Sequence, residues 1–213
     1  IKSKINNVKS TNIISICSHL SSARDSNSDT QSLFELENFK QISECFPDVE
    51  YKHVLNTSGV MRFPDHQYSA VRIGIGLYGI YNDQNLKQIG KLTSTISQVR
   101  FIEKNEIIGY RGMFKSNKKM KIGVVPFGYA DGLDRKLGNS NGSLFVDGIR
   151  CEILGEISMD SCVINLNNTT AKEGDRVEIF GDNNNIHSIC EKAKSIPYEF
   201  LSKINRRIKR VYN

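Results

Sequence analysis

Tyr129 stands in Gly128-Tyr129-Ala130-Asp131-Gly132, directly after an apolar run at 120–125 that reads as a buried strand. A phenol held at a strand exit can give or take a proton, but an ordinary phenol pKa of about 10 requires a strong local field or a basic partner at neutral pH. A tyrosine packed at a turn with its hydroxyl in water is the plainer alternative. A second group lies earlier, where Gly74-Ile75-Gly76 follows a predicted strand at 70–73 and offers backbone N–H groups unshielded by bulky side chains, a geometry suited to a phosphate. Thr57, at the end of a neighbouring predicted strand, adds a hydroxyl to the same place. The glycines could equally make a tight turn, with Thr57 capping its own backbone. Arg72 lies two residues before Gly74, so strand alternation puts both on one side and aims a guanidinium at whatever the glycines hold. His19, at the end of another strand, either lies against that ligand or bonds to Arg72. Together these residues describe a site for an aromatic, phosphorylated cofactor.

The elements that must position them change character along the chain. An apolar run at 11–18, a polar loop, a helix beginning at Ser28 or Asp29 and stopped by Pro47, and strands at 51–55 and 70–73 make strand–loop–helix units. Leu33, Leu36, Phe39 and Ile42 mark the apolar face of that helix. Polar residues gathered at the carboxyl ends of such strands are the pattern of a (β/α) barrel. Three units cannot close an eight-stranded barrel, so residues 1–88 are expected to be the carboxyl-terminal portion of one, binding the cofactor. Residues 89–213 read as a β domain carrying Tyr129. Its short runs fall at 92–102, 106–110, 120–127, 143–146, 149–157, 161–166 and 176–180, with Asp147-Gly148 as a hairpin signal and one helix at 186–196 ahead of Pro197. The predicted class is α/β plus all-β: the last units of a (β/α)8 TIM-type barrel, then a carboxyl-terminal β domain.

A chain of 213 residues, 38% hydrophobic and 24% charged, is long enough to bury real cores and has no run that could span a bilayer. Residues 1–10 lack a secretory signal, and a chain opening on isoleucine is expected to have been processed or cut from something longer. Cys17, Cys45, Cys151, Cys162 and Cys190 form no C-x-x-C pair and do not cluster with the four histidines at zinc spacings. Reduced thiols, a cytoplasmic location and no bound metal are the expectation. The net charge of +6 is concentrated in Lys203, Arg206, Arg207, Lys209 and Arg210. No aromatic residues interleave with these charges, which favours a solvated or phosphate-facing terminus over a nucleic-acid patch.

Taken in order, several stretches resemble the carboxyl-terminal part of the fold-type III alanine racemases, which depend on pyridoxal phosphate. They are Ser18-His19, Asn56-Thr57 with Arg62-Phe63-Pro64, residues 71–79, Gly109-Tyr110, residues 125–132, residues 155–160 and Gly174-Asp175-Arg176-Val177. The resemblance implies that Arg72 contacts the pyridine nitrogen, which a guanidinium does not readily protonate, and that Thr57 with the backbone at Gly74 and Ile75 binds the phosphate. It implies that His19 sits beside the cofactor and helps polarise the tyrosine. It makes Tyr129 the base for the α-proton of L-alanine and Met159 a contact to the substrate carboxylate, both reaching the site of the other subunit of a homodimer. Arg206 falls near the position of a phosphate-contacting tyrosine and offers charge instead.

Two features of that family have no match here: the Schiff-base lysine that is the second base, and an upstream substrate-binding arginine. A racemase needs a proton acceptor on each face of the α-carbon, so this chain alone is expected to be inactive. The intact enzyme would interconvert L- and D-alanine by two-base proton transfer and supply D-alanine for the cell wall. The alternatives are a racemase of serine or lysine on the same fold, a pyridoxal phosphate carrier, which would lack the β domain, and a non-catalytic remnant or nucleic-acid binder using the basic tail.

Overall fold

Parallel strands cannot be joined by a tight turn, so the chain between them must cross back as a helix or long loop. The computed structural model describes residues 12–81 and 85–212. The chain divides into two units, Ile1–Lys87 and Gln88–Asn213. Residues 1–10, read above for a signal, and Thr11, the first residue of the run at 11–18, lie outside the described residues.

In the first unit β1 (Ser15–Cys17) pairs in parallel with β2 (Tyr51–His53), in the register Ser15–Tyr51, Ile16–Lys52, Cys17–His53. The crossover contains α1 (Asp29–Glu44). Asp25 begins it, its carboxylate accepting the Asn27 N–H at 3.0 Å in a short turn ahead of the helix. The buried face of α1 is Ser32, Leu36, Phe39 and Ser43, a spacing of four, three and four. Leu33 and Ile42, expected inside, are 48% and 47% exposed. Steps of three fall short of the roughly 3.6-residue turn and drift around the helix, so these two flank the buried stripe on either side. Leu36 and Phe39 pack with Leu20, Ala23, Val54 and Leu55, and Tyr68 sets its ring edge-on to Phe39 at 5.1 Å.

Two expectations are corrected at the strand ends. Between the expected strands at 51–55 and 70–73, where a short connection through Arg62-Phe63-Pro64 was expected, lies a helix, α2 (Thr57–Arg62), because the Asn56 side chain accepts the Gly59 N–H at 2.9 Å and caps it. The expected strand at 70–73 is reduced to one parallel bridge, Asn56–Arg72, with Arg72 N–H donating to Leu55 O at 2.9 Å. Pairing has no room to continue, since α2 starts at Thr57 and a 3₁₀ turn at Ile75.

The second unit is antiparallel. Its strands are β3 (Leu92–Thr95), β4 (Gln98–Ile102), β5 (Ile107–Ile108), β6 (Phe114–Lys115), β7 (Met120–Val125), β8 (Ser143–Val146), β9 (Ile149–Leu154), β10 (Cys162–Asn165) and β11 (Arg176–Phe180). Seven of them form one sheet in the order β3-β11-β8-β9-β10-β7-β4, and β5 pairs with β6. The run at 92–102, expected as a single strand, is split at Ile96-Ser97 between the two edges of that sheet. Ile96 N–H reaches Asp175 O at 2.9 Å and Ser97 N–H reaches Val124 O at 2.8 Å, so the chain passes there from one edge strand of the sheet to the other. One face of the sheet buries Ile96, Val125, Val146, Ile153, Ile164, Leu166 and Val177, each no more than 1% exposed, while Ile122 lies on the other face in a second cluster with Ile102, Ile108, Met120 and Leu154.

The β8–β9 hairpin turns at Asp147 (φ 48°) and Gly148 (φ 77°), the paired positive angles a two-residue turn of this hand needs. The helix expected at 186–196 is α3 (Ile186–Ala193), and Pro197, expected only to follow a helix, opens α4 (Pro197–Lys203) as its first residue. No helix among the described residues is long and apolar enough to cross a membrane.

Gly123 on β7 faces the enclosed core, where a Cβ would meet Leu166 Cδ1 at 2.8 Å and Ile96 Cγ2 at 3.4 Å. Gly123→Ala is expected to destabilise the second unit by about 1–3 kcal/mol. A lowered midpoint in urea with an unchanged slope is the expected result, and an unchanged midpoint would show that the core around Gly123 has slack.

Candidate active site

In the first unit the ends of β1, β2 and the short third segment are drawn together by Arg72. One of its Nη atoms donates to Ser18 O at 2.6 Å and Val54 O at 3.3 Å, and the other to His53 O at 3.2 Å and to His53 Nδ1. A guanidinium is donor-only, so the His53 Nδ1 lone pair accepts and the ring proton sits on Nε2, facing Ser15 Oγ at 3.2 Å. His19 lies with Nδ1 3.4 Å from Arg72 Nη2 and Nε2 3.4 Å from Asn56 Nδ2. Both neighbours are donors, because Asn56 Oδ1 is taken by Gly59 N–H, and a neutral imidazole accepts at one nitrogen only. One of the two contacts is therefore not a hydrogen bond, and His19, exposed, keeps a ring nitrogen free for another partner.

Thr57 is buried at 5%, and its Oγ1 accepts from Gly74 N–H at 3.2 Å and Gly76 N–H at 3.3 Å. Gly76 must be glycine, since a Cβ would come within 2.8 Å of Thr57 Cγ2, whereas around Gly74 there is open space. Ile75 side chain is buried below this turn. His19, Thr57, Arg72 and the 74–76 turn thus converge at the carboxyl ends of parallel strands. His53 and Asn56 join them, and sequence reasoning had assigned neither a part. The signal for Asn56 was its place three residues before Gly59 at a helix start; nothing in the spacing of His53 marks it.

In the second unit Tyr129 and Met159 come from different loops and are zipped together by backbone. Tyr129 N–H donates to Ser158 O at 3.0 Å and Ala130 N–H to Met159 O at 2.8 Å. Gly128 permits this approach, for a Cβ there would lie 2.4 Å from Ser158 O and 2.5 Å from Asp160 N. Both side chains point outward, Tyr129 42% and Met159 60% exposed. Below them Asp131 is 2% exposed, takes the Gly128 N–H at 3.0 Å and holds Arg207 Nε at 2.6 Å. Burial alone pushes the Asp131 carboxyl up, but the hydrogen bonds from Arg207 and Gly128 and the Arg207 charge outweigh it and hold it below the ordinary carboxylate range. Asn205 adds its N–H to Asp131 O and its side-chain amide to Ala130 O, so the tail from 205 to 207 straps the turn. The basic tail is thus partly spent on structure: Arg207 on Asp131, and Arg210 on the carbonyls of Ile204, Asn205 and Ile208. Arg206 is exposed, with no side-chain partner among the described residues.

Two family models match the chain, the alanine racemase N-terminal domain over residues 1–82 and the alanine racemase C-terminal domain over residues 89–212. The chain belongs to the alanine racemase family. It is 33% identical to alanine racemase of Helicobacter pylori strain Shi470 over 229 aligned positions, covering 98% of this chain and 60% of that protein. With alanine racemase of Aquifex aeolicus it shares 33% identity, over 92% of this chain and 58% of that one. Among solved structures, the alanine racemase of Bartonella henselae with covalently bound pyridoxal phosphate superposes with a TM-score of 0.85 at 29% identity, covering 100% of this chain and 61% of that one. The enzyme of Clostridium difficile 630 in complex with cycloserine gives 0.88 at 27%, covering 97% and 58%. The chain therefore spans about 60% of the length of its curated racemase relatives. In that family context the first unit is a carboxyl-terminal part of a (β/α)8 barrel and the second is the all-β carboxyl-terminal domain.

Gly128→Ala is expected to push the two loops apart and weaken protection of the Tyr129 and Ala130 amides in hydrogen exchange; full protection in the variant would contradict the close approach. Asp131 has a depressed carboxyl pKa, so its contribution to stability is complete above the ordinary 3.8 and is lost as pH falls through the lower native value. Asp131→Asn should cost about 1–3 kcal/mol at neutral pH and flatten that acid limb in denaturation curves. A variant as stable as the parent at pH 7 would remove the strap from the account.

Proposed function

We propose that this chain is part of a pyridoxal-phosphate-dependent racemase, an isomerase that interconverts L- and D-alanine by two-base proton transfer and supplies D-alanine for the cell wall. The single observation that supports it best is the backbone pairing that sets Tyr129 beside Met159, both facing outward from a buried, charge-locked turn. A proton-transfer residue must be rigid at its Cα and open at its tip, and Tyr129 meets both requirements.

The residues of the first unit fit the cofactor. The open space beside Gly74 and the two N–H groups now directed at Thr57 Oγ1 suit a phosphate, and Arg72 and the free nitrogen of His19 suit a heteroaromatic ring. When bound, pyridoxal phosphate supplies an electron sink for the carbanion left on the α-carbon. Thr57, the 74–75 backbone and Arg206 would neutralise and hold the phosphate. Arg72 would face the ring nitrogen as a donor without a proton to spare, and His19 would orient the ring and help polarise the tyrosine. Tyr129 would take the α-proton of L-alanine at its hydroxyl oxygen, and Met159 would contact the substrate carboxylate. The opposite face calls for the family's lysine, which has no match in this sequence, so the activity belongs to the whole protein and not to this chain.

We also propose a homodimer in which Tyr129 and Met159 of one subunit serve the cradle of the other. Their exposure supports this, as does that of Tyr110 and Met113 at 65% and 54%, because aromatic and methionine side chains concentrate in interfaces. Thiols held without disulfides fit a cytoplasmic enzyme.

In the full-length protein Tyr129→Phe is expected to slow removal of the α-proton from L-alanine by about 10²- to 10⁴-fold and from D-alanine much less. Single-turnover exchange of the α-hydrogen in each direction measures this, and equal loss in both directions would defeat the assigned role. Parallel rates on alanine, serine and lysine decide the substrate.

A further inference from the structure

Arg135, Glu156 and Arg111 form a charge cluster beside Tyr129 for which the roles proposed above have no use. The Arg135 guanidinium lies over the Tyr129 ring, 5.8 Å from its centroid, and its Nη2 is 3.7 Å from Glu156 Oε1. The same carboxylate oxygen is paired with Arg111 Nη2. The Glu156 side chain is only 10% exposed, while those of Arg111 and Arg135 are 71% and 59% exposed. We propose that Glu156 is a positioning residue which, by anchoring Arg135, fixes the orientation of the Tyr129 ring.

Four features carry this. First, Arg135 and Glu156 hang on one backbone frame: Gly138 N–H returns to Arg135 O at 3.1 Å, and Asn139 N–H and Ser140 N–H bond to Gly155 O and Ile153 O at 2.7 and 2.8 Å. The approach is close enough that a Cβ on Gly138 would come within 2.8 Å of Gly155 O. Second, Tyr129 is tied to the same loop two residues further on, at Ser158 O. Ring, guanidinium and carboxylate are therefore referred to a single segment, 153–158.

Third, Glu156 is held by a residue whose backbone is itself fixed in the tight turn between β5 and β6. Arg111 adopts φ 56°, ψ 11°, a left-handed geometry that side-chain-bearing residues avoid, and it follows Gly109, whose Cβ would lie 3.2 Å from Glu156 N. Fourth, the cluster carries two cations to one anion, so Arg135 keeps positive charge to direct at the ring face, where a guanidinium is attracted to the π cloud. The Arg111 hydrogen bond, working against burial and helped by both guanidinium charges, holds the Glu156 carboxyl below its usual range, so it stays ionised for this purpose at neutral pH. An ordinary exposed ion pair would contribute little. What separates this one is an acceptor sheltered from water and a cation resting on the residue proposed as the base.

The kinetic consequence rests on the racemase reading; the geometry does not, and the test separates them. With ring-¹³C-labelled tyrosine in the full chain, the Tyr129 signal is identified by its loss in Tyr129→Phe. Glu156→Gln and Arg135→Gln should each move that signal the same way and leave Tyr198 unchanged, and Arg135→Lys should restore it in part. The exposed Arg135 side chain makes Arg135→Gln informative even if Glu156→Gln fails to fold. An unmoved Tyr129 signal in folded Arg135→Gln overturns the proposal, whatever the enzyme does. In the full-length enzyme kcat should fall about ten- to a hundredfold with KM nearly kept in Glu156→Gln. A change confined to KM would overturn the positioning role, and a parent protein with no racemase activity would defeat the function while the spectra still judge the geometry.

Discussion

The site in the second unit depends on a close approach of two backbones at Gly128. No side chain fits between this residue and the 158–160 segment, and that lack of space lets the Tyr129 and Ala130 N–H groups donate to the carbonyls of Ser158 and Met159. Once the segments are zipped, the remaining polar groups of the turn have to be satisfied from below, and Asp131 does so by accepting the Gly128 N–H and a guanidinium from the tail. A buried carboxylate would be costly without that partner. The tail, the turn and the facing loop are thus one mechanical unit: a steric requirement at one glycine leads to a buried acid, and the buried acid requires Arg207.

A different constraint governs the first unit. Parallel strands that end together leave carbonyls pointing out of the sheet, and here Arg72 collects those of Ser18, His53 and Val54. Lysine could not do this, because the contacts use both ends of a planar fork. The same residue is the one proposed to face the cofactor ring, so structure and recognition compete for its donors. The geometry reconciles them by spending Arg72 on main-chain oxygens and leaving His19 with a nitrogen to spare.

How far the sequence disclosed this follows from which interactions are local. Tyr129, Thr57, Arg72 and Gly74 to Gly76 stand beside strand ends in the chain, so periodicity and turn residues located them. The Asp147-Gly148 hairpin was legible for the same reason, since a two-residue turn is written in two residues. The pairing of Glu156 with Arg111 and Arg135, and of Asp131 with Arg207, joins positions that only the folded second unit brings together, and no spacing rule announces them. The split of the run at 92–102 is of this kind too. An uninterrupted β pattern carries no sign that its two halves will form opposite edges of one sheet; Ile96-Ser97 divides them because the first half pairs with β11 and the second with β7. Ser32 and Ser43 on the buried face of α1 show the reverse error, where a hydrophobic spacing of three drew attention away from the true stripe.

The proposed two-base chemistry would give a reason for holding an exposed tyrosine this firmly. Acceptors on opposite faces of one carbon cannot both come from a single short segment, so at least two bodies of structure must present them. Each body must then hold its base rigidly without help from the other, because any slack is multiplied across the interface that brings them together. Tyr129 has this independence: its backbone is paired, its turn is anchored by a buried ion pair, and its ring is covered by a cation tied to the same loop. All three supports lie within the second unit, so in the proposed homodimer each subunit would bring its partner a base already aimed.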